Sequence, residues 1–167
     1  MTKQARPQLA DYPYPAMRSL IRTTYDDPRF LELIAELDAD LRDRYGAKQD
    51  WFDQFNKALA GANVVLVLDG ETPVGCGCYR ETDDTDRVEI KRMYVRPTWR
   101  RQGIARQLLT ELETWAKEAD YQFARLETAI RQPESIALYQ KAGYQPIAKY
   151  GPYVNSEESV CLEKALY

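Results

Sequence analysis

The chain has 167 residues, of which 44% are hydrophobic and 29% charged, with a formal net charge of -3. That length suits one domain with its own core, and the charge leaves no broad electrostatic footprint for nucleic acid. Histidine is absent, which removes Ser-His-Asp and Cys-His mechanisms and histidine-based metal sites, so no metal is expected.

Three cysteines, Cys76, Cys78 and Cys161, are too few for a structural zinc site, and Cys-Gly-Cys is not a CxxC redox motif. Buried, reduced thiols fit a cytoplasmic protein. The polar, proline-rich start has no signal-peptide pattern, and no run approaches the roughly 20 apolar residues of a membrane span.

Residues 1–15 lack periodicity and are expected to form a flexible arm, with a single domain over 16–167. The alternation in 16–25 predicts a first strand. A helix follows over 26–46, with Asp27 as cap, Pro28 in the first helical position and Gly46 at its end. Phe30, Leu33, Ile34, Leu37 and Leu41 supply its apolar stripe. A shorter helix is predicted over Asp50–Ala60.

Three strands come next: 64–68, 73–80 and 87–95. The first two are joined by a tight Asp-Gly-Glu turn and the last two by the acidic loop 81–86, which implies an antiparallel meander. A long helix over Gln102–Ala119 carries the stripe Ile104, Leu108, Leu112, Trp115 and Ala119. A strand at 121–130, a helix at 133–144 and two strands near 144–150 and 158–166 complete a mixed α/β domain.

The junction "VRPTWRRQGIARQLL" holds the most chemistry. A helix start after a glycine turn offers free backbone N–H groups and the positive end of the helix dipole, which suits phosphate. Arg100 and Arg101 add charge and donors. Gly103 removes a Cβ from the backbone's approach to a ligand, and Ala105 keeps the next position small. Neither a P-loop nor GxGxxG is present. By itself, the turn could equally be a solvated link between strand and helix.

Arg100-Arg101-Gln102-Gly103-Ile104-Ala105 resembles the acetyl-CoA signature of the GNAT superfamily of N-acetyltransferases. Downstream, "SIALYQKAGY" (135–144) resembles that family's Ala-x-x-Leu-Tyr-x-x-x-Gly-Phe segment, and the order of elements over roughly 16–166 is also similar. The resemblance implies a central, mostly antiparallel, splayed sheet flanked by helices. It implies acetyl-CoA as cosubstrate, with its diphosphate on the amides of Gln102, Gly103, Ile104, Ala105 and Arg106. The pantetheine arm would pair along Met93, Tyr94 and Val95. Gln132 stands where many relatives carry Asn, and Ser135 where Ala is common, both on the cofactor side.

Acetyl transfer needs a neutral amine, although a free alkylammonium has a pKa of about 10, and a stabilised leaving thiolate. By the same resemblance Glu89 is the candidate base and Tyr139 the candidate acid. Glu127, on the neighbouring strand, is the rival base, and two carboxylates sharing a site would raise each other's pKa. Lys91 should face the same side as Glu89, with Arg80 close by on the adjacent strand. Those cations could hold an acceptor's carboxylate, as in an amino acid, or could be surface charges. The tyrosine-rich loop 149–159 is a candidate cover for the acceptor.

The expected function is transfer of an acetyl group to a small primary amine or amino acid. A protein lysine or N-terminus is the alternative acceptor, and a non-catalytic acyl-CoA sensor the alternative role. Dimers are common in the resembling family. Membrane and nucleic-acid partners are not expected.

Overall fold

The computed structural model describes residues 18–56 and 59–167. The expected N-terminal arm lies outside the described residues. Seven strands, β1 (Arg18–Thr24), β2 (Asn63–Asp69), β3 (Thr72–Glu81), β4 (Arg87–Val95), β5 (Phe123–Ala129), β6 (Gln145–Pro146) and β7 (Ser159–Ala165), form one sheet in the order β1-β2-β3-β4-β5-β7-β6. Four helices accompany it: α1 (Pro28–Tyr45), α2 (Gln49–Asn56), α3 (Ile104–Glu118) and α4 (Pro133–Lys141). The sequence of strands and helices is the expected one. No helix among the described residues is long and apolar enough to cross a membrane.

Local chemistry sets the helix ends. Asp27 accepts from the Arg29 amide at 2.9 Å and Pro28 opens α1, while Gly46 closes it at φ +57°. The α3 boundary differs from the expected Gln102 because Gly103, at φ +79°, caps the helix in a left-handed conformation that no helical residue can hold. The α3 stripe is also turned. Ile104, Leu108, Leu109, Leu112 and Ala116 are buried, Trp115 packs partly, and Ala119 falls beyond the helix and is exposed.

Two cores sandwich the sheet. Val64, Leu66, Leu68, Cys76, Cys78 and Tyr94 pack under α1, and the alternate residues Val65, Val67, Val74, Val88 and Ile90 pack under α3 and α4. This is the period-2 alternation of a sheet buried on both faces. Full burial of each leucine of α3 contributes on the order of 2 kcal/mol.

Two irregularities open the centre of the sheet. The β3–β4 register jumps from Cys76↔Tyr94 to Cys78↔Lys91, so Gly77 faces two residues, Arg92 and Met93. Arg92 adopts φ +57° at this bulge. The bulge inverts the alternation: Glu89 and Lys91 share the α1 face, Met93 joins the α3 core and Tyr94 returns to the α1 face. Second, β4 and β5 are parallel neighbours only over Arg87↔Phe123, Val88↔Ala124 and Glu89↔Arg125. Beyond Glu89 the two strands part, while all other strand pairs are antiparallel.

The strand expected over 144–150 shrinks to Gln145–Pro146. Proline has no N–H to donate, and this short edge is extended only by the Ile147 amide on the Cys161 carbonyl at 3.0 Å. The chain then turns through a short 3-10 segment, Gly151–Tyr153, that brings Tyr153 under the sheet.

Candidate active site

The parting of β4 and β5 opens a cleft of about 750 Å³ that runs from the α3 start to the inner end of α2. Val95 leads through a 3-10 turn, Pro97–Trp99, into Arg100 and Arg101. Arg101 has φ +61°, a left-handed conformation rarely kept by a residue with a side chain. At Gly103 an added Cβ would meet nothing within 4 Å. The sign of φ calls for glycine there, and no protein atom crowds the position. The first helical bond runs from the Gln107 amide to the Gly103 carbonyl at 3.0 Å. The amides of Ile104, Ala105 and Arg106 therefore precede the intrahelical ladder at the positive end of α3.

Arg100 donates through Nε to the Val95 carbonyl at 2.8 Å and lies over the Tyr94 ring at 5.7 Å. Arg106 donates to the Lys141 carbonyl at 3.3 Å. Both guanidiniums, like that of Arg101, face the cleft without a carboxylate partner among the described residues. Met93, Tyr94, Val95, Ile104, Ala105, Gln132 and Ser135 also line the cleft, but Gln102 does not. Its side chain and carbonyl are taken by the Arg18 guanidinium.

The inner end is electrostatically different. Glu89 is 1% exposed, and its Oε1 accepts from Arg80 Nε at 2.9 Å and lies 3.5 Å from Lys91 Nζ. Lys91 also donates to the Tyr153 hydroxyl at 3.1 Å. Burial alone would raise the Glu89 pKa, but Lys91, Arg80 and the neighbouring Tyr150 hydroxyl together outweigh it and hold the carboxyl below the usual range. Glu127 has no such partner. Burial pushes it up to about 7, against smaller opposing effects of Ser159 and Lys91.

Glu127 as a whole is half-buried because the cleft opens onto it, yet its Oε1 is sealed and meets no donor. Water in the cleft limits how far the pKa can rise, but the direction follows from the sealed oxygen. The two carboxyls thus share a site with opposite net shifts: the Glu89 charge adds to the rise of Glu127, as expected from sequence, while Glu89 itself is held down by its cations. Tyr139 is 7% exposed, stacks edge-on against Tyr144 at 5.8 Å and lines the cleft. Burial, then the Glu127 charge, raises its pKa.

A side chamber of about 70 Å³ opens off this end, bounded by Asn56, Glu89, Lys91, Glu127 and Tyr153. The expected nearness of Arg80 and Lys91 to Glu89 is observed, but both cations are engaged by its carboxylate, and Arg80 does not reach the cleft. Sequence reasoning did not single out Tyr153, Asn56, or the wall formed by Tyr45 and Phe52. Tyr153 lay within the flagged tyrosine-rich loop. The wall residues come from helices whose placement over the cleft has no motif.

Comparison with known proteins bears on this site. Residues 16–144 match the family model described as the acetyltransferase (GNAT) family. An Azospirillum brasilense protein named IAA acetyltransferase is 35% identical over 137 residues, covering 81% of this chain and 90% of its own length. A Klebsiella pneumoniae protein assigned as an acyl-CoA N-acyltransferase superposes with TM-score 0.76 at 31% identity, over 91% of this chain and 99% of the other. At the level of fold alone, an Elizabethkingia anophelis GNAT acetyltransferase solved with acetyl-CoA bound gives TM-score 0.65 at 20% identity, over 89% and 97% of the two chains. A splayed sheet, an α3 start at its mouth and these matches converge on one assignment: the chain belongs to the acetyltransferase (GNAT) family.

Proposed function

We propose that the protein moves the acetyl group of acetyl-CoA to a primary amine by direct attack, with Glu127 as general base and Tyr139 as proton donor. The observation that supports this most is the parting of β4 and β5, which puts a carboxyl titrating near 7 and a buried tyrosine in one cleft with an arginine turn that forms no ion pair among the described residues. Acetyl-CoA fits this cleft by charge. Its diphosphate suits Arg100, Arg101 and the amides of Ile104, Ala105 and Arg106, and its pantetheine suits the edge of β4 that β5 leaves beyond Glu89. When bound, it supplies the activated thioester carbonyl.

Glu127 removes one proton from the acceptor ammonium, and the freed amine forms the new N–C bond as the C–S bond breaks. The second proton leaving nitrogen ends on the coenzyme A thiolate through the Tyr139 hydroxyl, and Glu127 returns its proton to solvent. A base with a pKa near the working pH is better placed for this than an ion-paired one, so Glu89 is read as the fixed anion that holds Lys91 and Arg80.

Thiol release from acetyl-CoA in the presence of primary amines tests the reading. Acetyl-CoA should raise the melting temperature, and amines should accelerate release; stabilisation with no acceleration by any amine favours a sensor. Arg101→Glu should weaken coenzyme A binding by about tenfold or more, through like-charge repulsion at the diphosphate. Calorimetry showing unchanged affinity removes the phosphate role. Tyr139→Phe keeps the ring stacked on Tyr144, so kcat should fall by about 100-fold with acetyl-CoA KM and melting temperature nearly unchanged. Parallel loss of stability and activity would mark Tyr139 as a packing residue only.

A further inference from the structure

The cations at the inner end of the cleft are not equally satisfied. Arg92 meets Asp38 at 2.6 Å, Arg44 meets Glu134 at 3.2 Å and Lys48 meets Glu158 at 3.2 Å. Lys91 has no carboxylate so close. Its side chain is 7% exposed, and its one hydrogen bond among the described residues is the donation to the Tyr153 hydroxyl at 3.1 Å. The nearest carboxylate oxygen, Glu89 Oε1, stands 3.5 Å away and already accepts from Arg80 at 2.9 Å. An ammonium has three N–H groups, so two of those on Lys91 are unspent in a buried place, where an unmet donor is costly. The Tyr153 oxygen accepts from Lys91, which turns its own proton elsewhere, and that proton meets no acceptor among the described residues. Lys91, Tyr153 and Asn56 border both the side chamber and the main cleft, and the chamber's 70 Å³ suits a group the size of a carboxylate. The charge balance points the same way. Lys91 and Arg80 carry two positive charges against the one negative charge of Glu89, and Glu127, titrating near 7, adds only part of a second at neutral pH.

We propose that the side chamber is an anion subsite for the acceptor, in which Lys91 and Tyr153 hold a carboxylate, so that the acceptor is an amino acid rather than a simple amine. This rests on the amine-transfer reading above and narrows it. A carboxylate in the chamber takes up the unspent N–H groups of Lys91 and the O–H of Tyr153 as charge-assisted hydrogen bonds. A simple amine offers these donors nothing and leaves them unmet. The ammonium of the same amino acid then faces Glu127, which lines the main cleft and borders the chamber. Lys91 lies within electrostatic reach of Glu127, so the two form the opposite poles that a zwitterion needs. Glu89 stays behind this pair, with one oxygen on Arg80 and the other sealed, and balances part of the positive charge. Leu37, Leu41 and Phe52 give the cleft apolar surface for the acceptor's side chain.

The test compares matched acceptors on the full chain at saturating acetyl-CoA: phenylalanine with 2-phenylethylamine and phenylalaninamide, and norleucine with pentylamine and norleucinamide. The amides, whose amines lose a proton more readily, control for amine basicity. The amino acid should exceed both carboxylate-free analogues in kcat/KM by at least about tenfold in the better-used set. Equal use, or preference for the analogues, overturns the inference while leaving amine transfer intact. No thiol release above the acceptor-free rate with any of the six overturns both. Lys91→Met keeps the length of the side chain and removes its charge and donors, so it should narrow the ratio by about tenfold, whatever it does to the rate common to all acceptors. A folded variant with an unchanged ratio would overturn the Lys91 subsite, and the native comparison stands if the variant does not fold.

Discussion

Replacing Glu127 with Gln should lower kcat/KM by at least about 100-fold, the usual contribution of a positioned general base, and should at the same time stabilise the protein above neutral pH. In the native enzyme the acidic limb of the pH–rate profile should lie near 7, where burial has raised this carboxyl. In Glu127→Gln that limb should vanish from the residual activity. If it persists there and is removed by Glu89→Gln, Glu89 is the base. The stability effect has a definite sign. A carboxyl that titrates near 7 when folded, against an ordinary value of 4.5, binds more protons in the native state. Its cost is absent below about pH 4.5, grows as pH rises and is complete above about 7. That cost is at most about 3 kcal/mol, because cleft water solvates the exposed side of the group. Gln carries no charge, so its melting temperature should match the native one near pH 4.5 and exceed it by about 4–8 °C at pH 8. A variant that is inactive and no more stable at pH 8 would place Glu127 in contact with substrate but not under burial stress.

How far the site was legible in the sequence depends on what carries each feature. The helix caps and the apolar alternation of β2 are local, and they were readable from Asp27, Pro28 and Val64–Leu68. The arginine-glycine turn was readable as a motif, although the positive φ of Gly103 was not. Glu89 and Glu127 were both visible as candidates. Their ranking was not, because it depends on which carboxyl meets Arg80 and Lys91, and that is decided by the neighbouring strand and the bulge. Simple alternation from Glu89 would send Met93 to the α1 face, yet Arg92 at φ +57° shifts it to the other. A one-residue insertion of this kind leaves no periodic trace, since the strand VEIKRMYV is apolar or buried on both faces.

That bulge is the point at which fold and site are coupled, and Gly77 is the residue that permits it. A Cβ there would collide with Met93 Sδ and stand 3.0 Å from Leu112 Cδ1 in the core of α3. Alanine and valine should therefore separate two effects. In Gly77→Ala the flexible thioether can swing aside, so stability should fall by only about 1 kcal/mol. Met93 lines the cleft, however, and its displaced side chain has the cleft as the open space beside it. The KM for acetyl-CoA should rise by roughly 3- to 10-fold, about 0.6–1.4 kcal/mol of lost binding. Gly77→Val adds two methyls against Leu112 in a packed layer and should cost about 3 kcal/mol, a fall in melting temperature of about 6–12 °C. The pairing of Gly77→Ala with Met93→Ala closes a double-mutant cycle. If the clash with Met93 is what narrows the cleft, the second change should restore most of the lost affinity, with a coupling of at least about 0.5 kcal/mol. Additive losses would mean that the bulge shapes the sheet without reaching the donor site.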